Sequence, residues 1–301
     1  MLPAVEGNVE MLRFKPSAML MSQYSQPRLS RNRVVHGHEV FKNLMLAAIV
    51  LLCTLPCFGR KKEHPPDPAW AGITARGRML AEYDVAAWYA TAAVLAGHPA
   101  KGSLTGYVAK KTDTGWVVAF GRLNDAHDKF LVAYVATQGA TPQEFKAAQN
   151  LPPQEDTGFF FLAVKALETS RRDFQGQKRP YNGAVLPAQS NQMYVYIYPA
   201  QTTAGIYPLG GDVRYIISAD GSTIVEKRPL HRTILDFKAP GSLVPGVGGG
   251  VHVHTLTDVP EDTDVFYVLT RKPSVPEFVA AGKRLYKIQV DGTIMLVKWK
   301  R

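Results

Sequence analysis

Residues 104–138 read LTGYVAKKTDTGWVVAFGRLNDAHDKFLVAYVATQ, and this stretch decides the fold class. Apolar and polar side chains alternate in three runs, which is the period of a strand that covers a core with one face. The runs are separated by Asp113-Thr114-Gly115 and by Asn124-Asp125, and residues of these types form hairpin turns. The stretch therefore predicts a three-stranded antiparallel meander.

Helical patterns flank the predicted meander. Apolar residues recur at helical spacing through the Ala-rich segment 73–96, and Gly97 with Pro99 ends it. After the meander, Thr141-Pro142-Gln143-Glu144 has the cap, proline and glutamate of a helix start, and it predicts a short helix. A further helix is expected over about 156–175, because apolar residues again share one face.

The chain beyond Asn182 is dominated by strand patterns, among which we count GVHVHTL and DVFYVLTR. Asp220-Gly221 and Asp291-Gly292 lie between alternating runs and predict two hairpins. The fold class expected from the whole chain is α+β, with antiparallel strand-rich sheets, one long N-terminal helix and two further helices.

A short hydrophobic segment, Leu44 to Phe58, follows Lys42 and contains Pro56. Its length falls short of the roughly 20 residues that span a bilayer as a helix, so it predicts a signal peptide and periplasmic or secreted localisation. An uncleaved anchor, a buried helix and lipidation at Cys57 are the alternatives. With cleavage, no stable transmembrane span follows.

The expected domain organisation starts with a presequence and signal peptide over 1–59 and a tether over 60–72. A helix and the meander then occupy 73–150, and a helix with a strand-rich region occupies 151–301. The alternative is that these last two regions form one continuous domain. Both cysteines of the chain, Cys53 and Cys57, precede the expected cleavage point, which excludes disulfides and Cys-ligated zinc from the mature part.

The chain has a formal net charge of +10. Its longest basic run is Arg60-Lys61-Lys62, which is too short to indicate a nucleic-acid patch, so no nucleic acid is expected as a partner. The expected partner is a protein or an envelope surface, of unknown identity.

The strongest candidate site is Val251-His252-Val253-His254, followed by Asp258, Asp262 and Asp264. Two histidines at i and i+2 of a strand point to one face, so both could bind one metal ion, with a downstream aspartate as third ligand. This pattern resembles the His-x-His…Asp arrangement of the JAB/MPN metalloproteases, although the spacing from His254 to Asp264 is one residue short.

That resemblance implies a degenerate metal-dependent hydrolase with zinc at His252, His254 and Asp264. Zinc would activate a water molecule, with Glu226 or Glu261 as base. The competing interpretation is a strand whose imidazoles bond to a loop or face water.

A second candidate is the tyrosine stripe of Tyr194, Tyr196 and Tyr198. If exposed, it could stack on sugars or on a partner. The alternative is a sheet face that a helix covers.

Three stretches, 77–94, 210–228 and 258–271, resemble segments of uncharacterised exported bacterial proteins, a resemblance that implies export but no activity. The function expected first is therefore a non-catalytic envelope or secreted protein with a binding or structural role and no cofactor. The metal-dependent hydrolase, with zinc, is the alternative.

Overall fold

The computed structural model describes residues 68–100, 102–238 and 248–297. The predicted signal segment, the two cysteines and most of the predicted tether lie outside these residues. Within them, three α-helices and fourteen strands confirm the α+β class. The helices are α1 (Pro68–Leu95), α2 (Phe159–Asp173) and α3 (Asp262–Thr270), and the long one is the first element of the described chain.

The first sheet contains the predicted meander and one additional strand. Its order is β1-β2-β3-β4, and all neighbours are antiparallel. The strands are β1 (Gly106–Thr112), β2 (Gly115–Leu123), β3 (Phe130–Gln138) and β4 (Phe145–Asp156).

The second sheet has the order β5-β6-β8-β9 and is also antiparallel. Beside it, β7 and β10 form a two-stranded antiparallel ribbon. The strands are β5 (Tyr181–Pro187), β6 (Met193–Pro199), β7 (Ile206–Gly210), β8 (Val213–Ile217), β9 (Ile224–Pro229) and β10 (Ile234–Lys238).

The third sheet has the order β11-β12-β13-β14. Its first pair is parallel, and the connection between these two strands contains α3. The strands are β11 (Gly250–His254), β12 (Glu277–Ala281), β13 (Arg284–Ile288) and β14 (Ile294–Leu296). The predicted hairpins at Asp220-Gly221 and Asp291-Gly292 join β8 to β9 and β13 to β14.

Three apolar clusters hold these layers together. Helix α1 packs on one face of the first two sheets, where its Leu80 and Tyr83 are fully buried. Helix α2 packs on the opposite face of both sheets through Ala163 and Ala166. The third cluster lies between α3 and the third sheet and includes Trp70 from the start of α1. The long helix therefore joins the third sheet to the rest of the fold.

Two predicted elements are wrong. No helix begins at Thr141. The Glu144 side chain accepts hydrogen bonds from the backbone amides of Ala140 and Thr141 in a turn, and the chain that follows pairs with β3 as strand β4. The segment DVFYVLTR forms most of α3 instead of a strand, since a capping box and burial of one face outweigh its strand propensity.

The tyrosine stripe is covered by α1. Tyr196 and Tyr198 are buried, and Tyr194 is partly buried in the same cluster. An exposed aromatic platform for sugars is therefore excluded at this strand. In the described part of the chain, no helix is both long and apolar enough to cross a membrane.

Candidate metal centre

Strand β11 presents the two predicted histidines on one face. His252 and His254 are buried, whereas Val251 and Val253, which alternate with them, are exposed. This alternation is the period of two that a strand imposes. The Nε2 atoms of the two histidines lie 3.2 Å apart.

Helix α3 brings Asp264 to the same point. Glu261 is the N-cap of α3, and its amide donates to Asp264 Oδ2 at 2.7 Å in the capping box. Asp264 Oδ1 lies 3.0 Å from His252 Nε2, and Oδ2 lies 3.1 Å from His254 Nε2. The three residues singled out in the sequence therefore converge.

His231, which the sequence did not reveal, is the fourth member of the cluster. It lies in the connection between β9 and β10, and its Nε2 is 3.0 Å from both His254 Nε2 and Asp264 Oδ1. The four ligand atoms all lie within 4.8 Å of one another.

The other nitrogen of each imidazole is held by an acceptor. Nδ1 of His231 donates to Asp212 at 2.8 Å, Nδ1 of His252 donates to Glu277 at 2.9 Å, and Nδ1 of His254 donates to the carbonyl of Val259 at 3.0 Å. Protonation at Nδ1 leaves a lone pair on Nε2 of a neutral imidazole. Metal-binding histidines are oriented in this way by carboxylates and carbonyls. All three Nε2 atoms are thus set to face one cation.

The carboxylates of Asp212, Asp264 and Glu277 favour positive charge on the neighbouring histidines. Burial alone would lower the pKa of His231, but Asp212 and Asp264 outweigh it and hold that pKa well above its usual range. Burial would also lower the pKa of His252, but hydrogen bonds and charge interactions with Asp264 and Glu277 outweigh burial and raise this pKa to about 9. Burial would raise the pKa of Asp264, but the two histidines lower it well below normal.

Most separations among the ligand atoms are close to those of a zinc site. In the set that contains Asp264 Oδ1, four of the six separations are 3.0 to 3.2 Å, and His254 Nε2 lies 3.1 Å from the other carboxylate oxygen, Oδ2. Zinc with bonds of about 2.0 Å to nitrogen and oxygen would place tetrahedral ligands about 3.3 Å apart. The short separations therefore need only a slight expansion for zinc to bind, and the whole set lies within 4.8 Å.

The charge around the cluster also fits a divalent ion. Three carboxylates, those of Asp212, Asp264 and Glu277, contact the imidazoles. Glu277 also accepts from Arg271 Nη1 at 2.7 Å. With neutral histidines, three carboxylates and one guanidinium leave two negative charges, which a divalent cation would neutralise.

A buried ion-pair network fixes the start of α3, beside Asp264. Asp262 has no exposed side-chain surface, and it accepts from Arg76 of α1, from Arg214 of β8 and from Tyr196 of β6. The two guanidiniums also lie against the Tyr194 ring. Asp262, which the sequence analysis named beside Asp264, therefore joins α3 to α1 and to the second sheet. It is not one of the four clustered residues.

Neither predicted base is placed for a reaction at the cluster. Glu261 caps α3 and pairs with Arg228 at 2.7 Å. Glu226 is about half-exposed and lies 3.9 Å from Arg214. Asp258 is likewise outside the four-residue cluster.

A cavity of about 60 Å³ opens beside the cluster. Its wall includes all three histidines together with Arg232, and the rest of the wall is mainly apolar, with threonines. None of the described residues that line it carries a carboxylate; they are Leu209, Gly210, Leu230, His231, Arg232, Thr233, Leu235, His252, Val253, His254, Thr255 and Leu256.

His231 and its partner Asp212 carried only a weak sequence signal. Gly210-Gly211 before Asp212 indicates a tight turn, and both glycines do have positive φ. A side chain at Gly210 would collide with the Thr233 carbonyl. The close approach of these two segments, which brings His231 over Asp212, is a tertiary feature that no local spacing encodes.

No family model, curated protein or solved structure matches the chain. The resemblances noted in the sequence stay predictions.

Proposed function

We propose that the protein binds one zinc ion through His231, His252, His254 and Asp264, and that this zinc centre has a binding or structural role instead of a hydrolytic one. The observation that carries the proposal is the set of three imidazoles, each fixed through Nδ1, whose Nε2 atoms converge with a buried carboxylate. Structural zinc sites have four protein ligands, whereas catalytic ones keep a position for water.

The surroundings of the cluster support the non-catalytic role. A hydrolytic zinc centre needs a base within hydrogen-bond reach of the activated water. Within the described part of the chain, the cavity wall offers no carboxylate for this task, and Glu261 caps α3 and pairs with Arg228. Exported location, with an unidentified protein or envelope surface as partner, belongs to the same proposal and is supported by the segment Leu44 to Phe58.

Hydrolysis is the second candidate function, because His252 and His254 line the cavity. It would require a water molecule on the ion and a base from outside the cavity wall. Turnover of a peptide or ester by the zinc-loaded protein, abolished by His252→Asn, would favour it.

Metal analysis of the purified full chain tests the proposal. We expect one zinc per chain in the native protein and a loss of zinc in the double variant His252→Asn/His254→Asn. The matched control is His98→Asn/His127→Asn, because both residues are exposed and asparagine tolerates their positive φ. Zinc-free native protein that cannot be loaded, or unchanged zinc in the first variant, would refute the site.

Localisation is tested separately by fractionation of the native host. The proposal expects the processed chain outside the cytoplasm. Intact, unprocessed chain confined to the cytosol would refute export without affecting the metal centre.

A further inference from the structure

The four proposed ligands lie on different structural elements. His252, His254 and Asp264 fall within 13 residues of chain, on β11 and at the start of α3, and so belong to one structural unit. His231 comes from the connection that leaves the second sheet at β9 and enters the ribbon at β10. Three ligands are therefore fixed relative to one another without the fourth.

His231 is also the outermost ligand. Its side chain is 9% exposed, against 2% for His252, 1% for His254 and 0% for Asp264. The two residues that follow it, Arg232 and Thr233, are exposed, and all three line the cavity. Movement of His231 away from the ion would thus open the ion to the cavity and leave the other three ligands in place.

The cavity has the size and charge for a small anion. Its volume of about 60 Å³ leaves room for a few water molecules and therefore for a small anion. Arg232 supplies a positive side chain in the wall, and Thr233 and Thr255 supply hydroxyl groups. A zinc ion with three protein ligands accepts an external ligand at the fourth position.

We propose that His231 is the replaceable ligand of the centre and that a small anion, such as a carboxylate or an inorganic anion, enters the cavity beside Arg232 and takes its place on the ion. This inference rests on the zinc binding proposed above. His231 then controls whether the centre is closed by protein or open to a ligand.

Cobalt-substituted full-length protein gives a direct readout, since its visible absorption changes when a ligand of the ion changes. Azide is the probe anion, and the variants are His231→Ala, the matched ligand variant His252→Ala and Arg232→Ala. Azide should change the spectrum of the native protein saturably. It should bind His231→Ala at least about tenfold more tightly, because the competing ligand is gone.

Metal retention separates the two ligands. His231→Ala should keep one equivalent of cobalt with His252, His254 and Asp264, whereas His252→Ala should lose stoichiometric metal. Arg232→Ala should keep the metal and weaken azide binding several-fold. Circular dichroism confirms that each variant is folded, and His231→Asn serves if the alanine variant is not.

The outcomes distinguish the two proposals. Native protein that fails to bind cobalt or zinc refutes the metal centre itself. Native protein that binds one cobalt with a spectrum indifferent to saturating azide shows that His231 is a permanent ligand, which overturns the inference and leaves the metal centre intact. Loss of metal from folded His231→Ala as complete as from His252→Ala also overturns it.

Discussion

Nε2 of His231 and Nε2 of His254 lie 3.0 Å apart, although the two residues come from separate strand systems. The Nδ1 proton of His254 is committed to the Val259 carbonyl, so its Nε2 presents a lone pair. Two imidazole nitrogens this close must share a proton or a cation. A single ion between them and Asp264 would satisfy all the groups together.

Asp212→Asn tests whether the carboxylate behind His231 strengthens metal binding. The amide oxygen can still accept from Nδ1, but the negative charge is lost, so we expect zinc affinity to fall about 10-fold, at the low end for such outer partners. Competition with a chelator measures the change. Asp236→Asn, at an exposed carboxylate paired with Arg179, is the control and should leave affinity unchanged.

Arg271→Met tests the buried pair behind His252. Arg271 and Glu277 are both nearly inaccessible, and the substitution leaves the Glu277 carboxylate without its guanidinium partner. We expect the free energy of unfolding to fall by about 3 kcal/mol in the metal-free protein. Arg179→Met, which breaks the more exposed pair with Asp236, should cost no more than about 1 kcal/mol. Equal effects in urea unfolding would contradict the assigned burial.

Gly77→Ala tests the close contact between α1 and α3. A Cβ at Gly77 would lie 2.5 Å from the Asp262 carbonyl oxygen and 2.5 Å from Val265 Cβ. Although alanine favours helix, this collision should destabilise the protein by about 1–3 kcal/mol. Gly72→Ala meets only the end of the Arg76 side chain, so it should be neutral or stabilising by up to about 1 kcal/mol. Thermal unfolding of both variants makes the comparison.

Asp84→Asn tests a pH-dependent contribution distant from the metal cluster. Burial raises the pKa of Asp84 to about 6, against the opposing hydrogen bond from the Tyr198 hydroxyl. A folded-state pKa above the unfolded one gives stability that is complete below about pH 4 and is lost as the pH rises through about 6.

The variant should therefore be more stable than the native protein at pH 7.5, by about 1 kcal/mol for this incompletely buried group, with a smaller difference at pH 5. Urea unfolding at the two pH values measures the difference. Because both proteins keep the metal cluster, its own titration cancels in the comparison. A difference that is equal at both pH values would contradict the raised pKa.

Local patterns predicted much of the fold. The meander of residues 104–138 and the hairpins at Asp220-Gly221 and Asp291-Gly292 form as expected, because alternation and turn chemistry are encoded in neighbouring residues. The segments at Thr141 and Asp264 were misassigned, because pairing with β3 and packing of α3 under α1 are tertiary interactions that override propensity.

The candidate site was predictable in its three contiguous members only. His252 and His254 share a strand face and Asp264 follows within a short connection, so their spacing in the sequence predicts that they can bind one metal ion. His231, Asp212 and Glu277 come from other strands or connections, and their approach depends on how the sheets are arranged. Periodicity carries no information on such contacts.

Anomalous diffraction at the zinc absorption edge, from crystals of the zinc-loaded full chain, tests the central claim most directly. The account predicts one strong peak in the anomalous difference map, about 2.0 Å from Nε2 of His231, His252 and His254 and from an Asp264 carboxylate oxygen. Zinc-loaded crystals with no peak at this position, or with the only peak elsewhere, would contradict it.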